Sequence, residues 1–424
     1  MNKEKYLPRI IDKQIEKYLN TFGAICIEGT KWCGKTSTAS FNSLSKVFIG
    51  DPSGNFQYKT LAEIDPKLVL TGDVPRLIDE WQEVPQLWDA VRFEVDKRDK
   101  KGQFILTGSA TPTQKGVLHS GAGRIATLRM RPMSLYESED SSGQISLEEI
   151  CNENFKNKMI VEPNLEDIIN LIIRGGWPGS LNLKEENYPL IPKEYINAII
   201  NHDVYRLDGI NRDTKKMTKL LQSLARNECT TVSNNLLKKD IKETDSENID
   251  DETIANYLSI FERMFLIENQ RAFSSNIRSS VRIKNKEKRH FTDPSLAYAL
   301  LNTSKNMLLK DLCTLGLLFE SLCERDLRIY SESFGAKLYH YQDYDNDEID
   351  AVVELDNGEW VAIEIKLGSN QIDKAAKSLI KIKNKIIKKG GTPPKVLCII
   401  CGLSNAAYLR KDGVYVCPIT ALKN

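Results

Sequence analysis

Gly29-Thr30-Lys31-Trp32-Cys33-Gly34-Lys35-Thr36 has the spacing G-x-x-x-x-G-K-T. The apolar run Ala24-Ile25-Cys26-Ile27 precedes it and a helical stretch follows, the context in which this spacing cradles phosphates. The two glycines let backbone N–H groups wrap the phosphate oxygens, and the helix start adds partial positive charge. Lys35 would neutralise the β- and γ-phosphates, the Thr36 hydroxyl would coordinate Mg²⁺, and Ser37 completes the binding set. The expected ligand is therefore ATP with Mg²⁺. Cys33 sits at a helix start, where a thiolate is favoured; the competing reading is a small residue that fills space.

Hydrolysis needs an acid at the end of a second apolar strand, and Leu77-Ile78-Asp79-Glu80 supplies it. Asp79 would hold the metal through water, and Glu80 would orient and deprotonate the attacking water. A third strand ends in Thr107-Gly108-Ser109, where Ser109 or Thr107 would sense the γ-phosphate. Arg124, in Gly121-Ala122-Gly123-Arg124, is the candidate arginine finger, acting in cis or from a neighbouring subunit; a solvated arginine is the alternative.

A second constellation lies near the C-terminus. Glu320 falls on a helix, Glu348-Ile349-Asp350 starts a strand, and Glu364-Ile365-Lys366 ends the next. Glu364 and Lys366 point to one face of their strand. Asp350 joins them if the strands pair across the Asn357-Gly358 turn. This looks like the PD-(D/E)xK nuclease core. Glu320, Asp350 and Glu364 would bind Mg²⁺, and Lys366 would position or activate the water for phosphodiester attack. A scaffold with that fold and no catalysis is the alternative. The helix at 371–389 carries Lys374, Lys377, Lys381, Lys383, Lys385, Lys388 and Lys389, a face suited either to a phosphate backbone or simply to solvent.

The P-loop, the Leu77–Gln82 and Phe104–Ser109 strands, and Gly123-Arg124 followed by Arg131-Pro132-Met133-Ser134-Leu135-Tyr136-Glu137 resemble the prokaryotic AAA-type ATPases of the AAA_14 class. Proteins of that class carry a C-terminal DUF4143 region. Gly175-Gly176-Trp177-Pro178, Phe291-Thr292-Asp293-Pro294-Ser295-Leu296-Ala297 and the C-terminal pattern are similar to it. The resemblance implies an ASCE-type P-loop architecture with Glu80 as the catalytic acid.

The elements that must position these residues follow from periodicity. Residues 1–135 alternate short apolar runs with helical patterns, which predicts a parallel sheet flanked by helices. Residues 138–163 are polar and read as a linker. Residues 164–227 read as mostly helical. Helices at 220–226, 236–241 and 251–265, then a β-hairpin around Lys284 to Lys288, make a winged-helix pattern. Its wing would carry Arg278, Arg282, Lys284, Lys286, Lys288 and Arg289. The domain expectation is 1–160 ATPase, 161–213 helical connector, 214–300 winged helix and 301–424 restriction-endonuclease-like α/β.

The chain has 424 residues, 41% hydrophobic and 28% charged, with a formal net charge of +1. That balance gives several cores and no global field for nucleic acid, so any DNA surface must be local. Nine cysteines without a paired framework fit a reducing cytoplasm. The C-x-x-C of Cys398 and Cys401 lies in an apolar strand without metal-site companions. The start of the chain lacks a signal-peptide pattern, and no run reaches the ~18 apolar residues of a membrane span. The reading is an ATPase whose nucleotide state regulates DNA binding or cleavage, with further copies of the chain as candidate partners. The alternatives are an ATP-driven switch for a protein partner, with a silent nuclease-like fold, or a DNA-binding ATPase without cleavage.

Overall fold

The computed structural model describes residues 6–109, 117–161, 163–244, 249–276 and 286–424. It divides into two compact units. One comprises 1–132, 201–212 and 259–266; the other comprises 133–200, 213–258 and 267–424.

The first unit is built on five parallel strands: β1 (Ala24–Glu28), β2 (Ser45–Phe48), β3 (Arg76–Asp79), β4 (Phe104–Gly108) and β5 (Ile125–Arg129). Their order is β2-β3-β4-β1-β5. β4 is inserted between β1 and β3, pairing Ala24 with Phe104 and Arg76 with Phe104. That insertion places the loop after β1, the acids after β3 and the hydroxyls of β4 at one end of the sheet.

The central strands are buried along their whole length because helices cover both faces. Side-chain alternation divides them. Ile25, Ile27, Leu77 and Ile105 pack with Ile11 and Ile15 of the Ile11–Leu19 helix. Ala24, Cys26, Ile78, Phe104 and Leu106 pack with Leu87, Val91 and Val95 of the Gln86–Arg98 helix. The apolar runs read from sequence at Ala24–Ile27, Leu77–Asp79 and Phe104–Thr107 lie in strands. β5, which follows the candidate arginine, was not expected. Its alternation is weak, because only Ile125 and Leu128 are buried.

The second unit holds β6 (Ile145–Ser146), β7 (Lys158–Met159), β8 (Lys337–Gln342), β9 (Glu348–Glu354), β10 (Trp360–Gly368), β11 (Val396–Leu403), β12 (Ala406–Leu409), β13 (Val414–Pro418) and β14 (Leu422–Lys423). Seven form one sheet, ordered β7-β12-β13-β11-β10-β9-β8. β9 and β10 pair antiparallel, and β10 and β11 parallel. The Ile372–Lys388 helix lays Ala375, Ala376, Leu379, Ile382 and Ile386 on that sheet. The 22-residue Leu312–Ser333 helix also packs on β8 and β10.

The linker expected at 138–163 is structured instead. Leu147–Cys151 is a helix capped by Ser146, β6 pairs with β14, and β7 joins the seven-stranded sheet beside β12. Ile145, Leu147, Ile150, Cys151 and Ile160 are buried, while Met159 and Val161 are exposed. A short segment with few apolar residues therefore finds its core through partners distant in sequence.

The three helices of the winged-helix pattern are present as Thr214–Arg226, Asn234–Thr244 and Asp251–Arg263. Antiparallel bridges Ile267↔Phe291 and Gln270↔Lys288 follow. The predicted strand Val281-Arg282-Ile283, with Arg278 and Lys284, lies outside the described residues. Lys288 does not belong to a solvated wing, since it is 1% exposed. No helix among the described residues is long and apolar enough to cross a membrane.

Candidate functional site

The phosphate loop leaves β1 at Glu28. Gly29 has φ +155°, and a Cβ there would meet the Met130 carbonyl at 2.0 Å. Gly34 has φ +102° and precedes the Lys35–Phe41 helix. Glycine is required at both points by approach and by backbone sign. Two interactions brace the loop from outside. Arg9, buried, donates from Nη1 to the Cys33 carbonyl (2.8 Å) and from Nη2 to the Arg131 carbonyl (2.9 Å). Lys31 pairs with Asp203 at 2.6 Å. Neither Arg9 nor Asp203 was expected. Both act from sequence positions far from the motif, and no local pattern marks them.

Lys35 is buried and donates to the carbonyls of Gly29 (2.9 Å) and Thr30 (2.8 Å). Among the described residues no carboxylate pairs with it. The Thr30 hydroxyl is buried without a partner. Trp32 has φ +68° and is 60% exposed. Ser37 lies half-buried in the first turn of the helix. Cys33 is fully buried beside Ile25 and Leu128, with its thiol 3.7 Å from the Met130 carbonyl. That is the space-filling alternative, because a nucleophile must be reached by its reagent.

Across the sheet end, the Thr36 hydroxyl donates to Asp79 Oδ1 at 2.9 Å. Thr107 Oγ1 donates to the same oxygen at 2.6 Å and accepts from the Glu80 N–H at 3.1 Å. Glu80 has φ +57°, a left-handed conformation that is uncommon for a non-glycine residue. Its carboxylate accepts from Ser109 Oγ at 3.1 Å and from Gln82 Nε2. The two β4 hydroxyls left open in sequence therefore take different jobs: Thr107 fixes Asp79 and the Glu80 backbone, and Ser109 holds the Glu80 side chain. Gln82 was in the motif but had no assigned role.

Arg124 lies elsewhere. Its carbonyl accepts from the Ala24 N–H, at the start of β1, while the loop follows the end of that strand. At ~3.3 Å per residue the separation along the sheet is about 15 Å. Its guanidinium pairs with Asp96 at 2.8 Å on the surface. The cis arginine-finger role is corrected accordingly, since a side chain at the opposite end of the sheet cannot reach a phosphate held by Lys35.

The residues fit a nucleoside triphosphate with Mg²⁺. A buried ammonium faces only neutral carbonyls, and a threonine hydroxyl and an aspartate converge beside it. Together these offer one cation for phosphate oxygens and two oxygen donors for a hard metal.

The C-terminal constellation also assembles. The Asp350 carboxylate accepts from the Ile365 N–H at 2.8 Å, across the β9–β10 hairpin. Lys366 Nζ lies 2.9 Å from Asp350 and 2.6 Å from Glu364. Glu320 reaches the group from the Leu312–Ser333 helix. Between these carboxylates sits an unexpected second ammonium. Lys288 Nζ is 2.5 Å from Glu320, 3.1 Å from Glu348 and 3.8 Å from Asp350.

Burial pulls the Lys288 amine down, but Glu320, Asp350 and Glu348 overcome it and hold it well above its usual value. Burial raises the Glu320 and Glu364 carboxyls. Burial also pushes Asp350 up, but Lys366 and Lys288 outweigh it and keep this carboxyl below the usual range. Two ammonium groups thus offset, from within, much of the charge of four carboxylates. The residues present do not fit a divalent ion as Glu320, Asp350 and Glu364 alone would.

Among the described residues, the one set of three or more such ligands whose atoms lie within 4.8 Å of one another is Glu228, Cys229 and His290. Its thiol donates to the Leu317 carbonyl at 3.2 Å, and burial raises Glu228 to about 8. Burial, with Lys288 and Arg328 nearby, keeps His290 neutral. Those cations also oppose a metal there.

The basic helix is partly neutralised as well. Lys385 contacts Asp343 (2.5 Å), Asp345 (2.7 Å) and Asp347 (2.6 Å), and Lys381 pairs with Asp347. Lys374, Lys377 and Lys388 are exposed, and Lys383 is half-buried. Cys398 and Cys401 are buried on β11 and form no disulfide, and the Cys401 thiol lies 3.5 Å from the Leu403 carbonyl.

Residues 21–139 match the AAA domain family AAA_14, and residues 315–422 match the domain of unknown function DUF4143. The chain carries an AAA_14 domain and a DUF4143 region. Between them, residues 165–307 match a further domain of unknown function, DUF8612. No curated protein matches the chain. Among solved structures it is similar to the Walker-type ATPase PABY2304 of Pyrococcus abyssi, at 13% identity and a TM-score of 0.42, covering 70% of this chain and 96% of that one. It is also similar to the Aeropyrum pernix ORC1 protein in complex with DNA, at 14% identity and 0.27, covering 72% and 96%. A third is DnaA of Aquifex aeolicus bound to AMPPCP, at 13% and 0.27, covering 60% and 86%. At these scores the likenesses carry no argument about activity.

The Gly175–Pro178 and Phe291–Ala297 motifs, expected in the DUF4143 region, fall instead within the 165–307 match, and they serve packing. A Cβ on Gly175 would meet Asp293 Oδ1 at 2.4 Å, and one on Gly176 would meet the Met133 carbonyl at 2.1 Å. Trp177 Nε1 donates to Ser295 Oγ at 2.9 Å. Arg325 is buried between Asp293 (2.9 Å) and Asp326 (2.8 Å).

Proposed function

We propose that this protein is a Mg²⁺-dependent ATP hydrolase whose nucleotide state regulates DNA binding. The observation that carries the first half is the network at the sheet end, in which Thr36 and Thr107 share Asp79 while Ser109 and Gln82 hold Glu80. Loop, metal-binding acid and general base then belong to one assembly.

The backbone from Gly29 to Gly34 wraps the phosphates, Lys35 neutralises the β- and γ-oxygens, and Ser37 supports the first turn of the helix. Thr36 and Asp79 would hold Mg²⁺, which supplies charge neutralisation on the phosphates when bound. Glu80 orients the attacking water and takes its proton. Release of Glu80 from Ser109 and Gln82 frees the carboxylate for that role. Arg124, facing away from its own loop, is assigned to a neighbouring copy's phosphate.

DNA binding is supported by the three-helix order ahead of the 267–291 bridges and by exposed Lys374, Lys377 and Lys388. One observation favours a protein partner instead: the acidic loop at Asp343, Asp345 and Asp347 takes up Lys381 and Lys385. The test is the ATPase rate against protein concentration, with and without duplex DNA. Hydrolysis that rises steeply with concentration and with DNA is expected. No hydrolysis at any concentration overturns the ATPase reading, and a rate indifferent to DNA transfers the output to a protein partner.

A further inference from the structure

The carboxylate core of the second unit has the residues of a metal-dependent nuclease and one residue too many. Lys288 comes from the segment that precedes the Pro294–Leu300 helix, far in sequence from β9 and β10. Its backbone is fixed by pairing: Lys288 donates to the Gln270 carbonyl at 2.9 Å, and Gln270 donates back at 2.8 Å. Two residues on, Ala272 bridges to His340 of β8, at the edge of the seven-stranded sheet. The Gln270 strand therefore lies between Lys288 and that sheet edge, and the pairing aims the lysine at the acids of β9.

The ammonium arrives where Glu320, Glu348 and Asp350 converge, within hydrogen-bond distance of the first two. Lys366 closes the other side of Asp350 and takes Glu364. We propose that Lys288 is a built-in cation standing where a nuclease of this fold would hold its metal, so that this core is a metal-independent, non-cleaving centre that anchors the 286–291 segment.

Three physical points support this. A lysine ammonium is almost wholly desolvated here, and the carboxylates around it offset that cost. It has at most three N–H donors and no acceptor, so it satisfies anionic oxygens as a cation does but cannot activate a bound water as a metal does. A divalent ion at the same acids would sit against two ammonium groups, and like charges repel most strongly where water is excluded. The inference does not depend on the ATPase reading, because every residue in it belongs to the second unit.

The test uses the full chain without nucleotide. Mn²⁺ binding is followed by electron paramagnetic resonance for wild type, Lys288→Met and Lys288→Met/Asp350→Asn, and plasmid nicking is measured in parallel. Wild type is expected to bind no Mn²⁺ at this core and to leave plasmid intact. Lys288→Met is expected to melt at a lower temperature, to gain one Mn²⁺ site, and to recover several degrees on adding Mn²⁺. Adding Asp350→Asn should remove that site. Wild-type Mn²⁺ binding or nicking that Asp350→Asn alone abolishes overturns the proposal, and so does a folded Lys288→Met that gains no site. If Lys288→Met does not fold, the wild-type measurements decide: no binding and no nicking supports the proposal, and either one lost with Asp350→Asn refutes it.

Discussion

The two carboxylate-and-lysine centres treat charge in opposite ways. At the nucleotide site Lys35 is buried against neutral carbonyls, while Asp79 and Glu80 are held by hydroxyls and an amide. Cation and anions are kept apart, and neither is neutralised. In the second unit Lys288 and Lys366 lie directly among Glu320, Glu348, Asp350 and Glu364. A centre meant for a charged ligand keeps complementary charge available. A centre that offsets much of its own charge has less left to offer one.

The sharpest break of the comparison is at Lys35. Lys35→Ala should remove ATP binding by titration calorimetry, because the other cation of the loop, Lys31, is paired with Asp203. Retained affinity would mean that the site does not depend on the uncompensated cation. Glu80→Gln should keep ATP affinity while lowering turnover by roughly 10²- to 10⁴-fold; equal turnover in phosphate-release assays would remove Glu80 from the chemistry.

In the second unit the expected effects fall on stability. Arg325→Leu leaves Asp293 and Asp326 buried without their counter-ion and should cost about 3–5 kcal/mol in urea unfolding, with ATP affinity unchanged. A loss under ~1 kcal/mol would show that these charges are solvated. The smallest effect is a pH slope. Glu228 titrates at about 8 in the folded chain, raised by burial, against an ordinary carboxyl value near 4.5. The folded state then holds the extra proton between those values, so stability falls as pH rises through the window. The slope is at most about 1.4 kcal/mol per pH unit. Glu228→Gln should flatten it, gaining on wild type from pH 5 to pH 8 in thermal melts. Parallel curves would place Glu228 in contact with water.

Legibility in the sequence followed locality. The P-loop, the acids after β3 and the hydroxyls of β4 were readable because each sits at the end of a compact apolar run, and parallel strands bring such ends together. Glu320, Asp350, Glu364 and Lys366 were readable for a similar reason, since one hairpin and one helix assemble them. Weak strands were not. β12 and β13 escaped notice, and the polar stretch at 138–163 looked like a linker because its partners lie beyond residue 400. Arg124 looked well placed by its glycines, yet parallel pairing put it at the wrong end of the sheet.

The sequence by itself determined the G-x-x-x-x-G-K-T loop and the two acids proposed for hydrolysis, because those groups follow their strands within a few residues. Only the tertiary structure decided the division of labour between Thr107 and Ser109, the bracing of the loop by Arg9 and Asp203, and the place of Lys288. The physical reason is that a lysine in a basic stretch is, in sequence, a solvated charge. It becomes a core cation only when a segment paired with Gln270 carries it among three carboxylates from elsewhere in the chain.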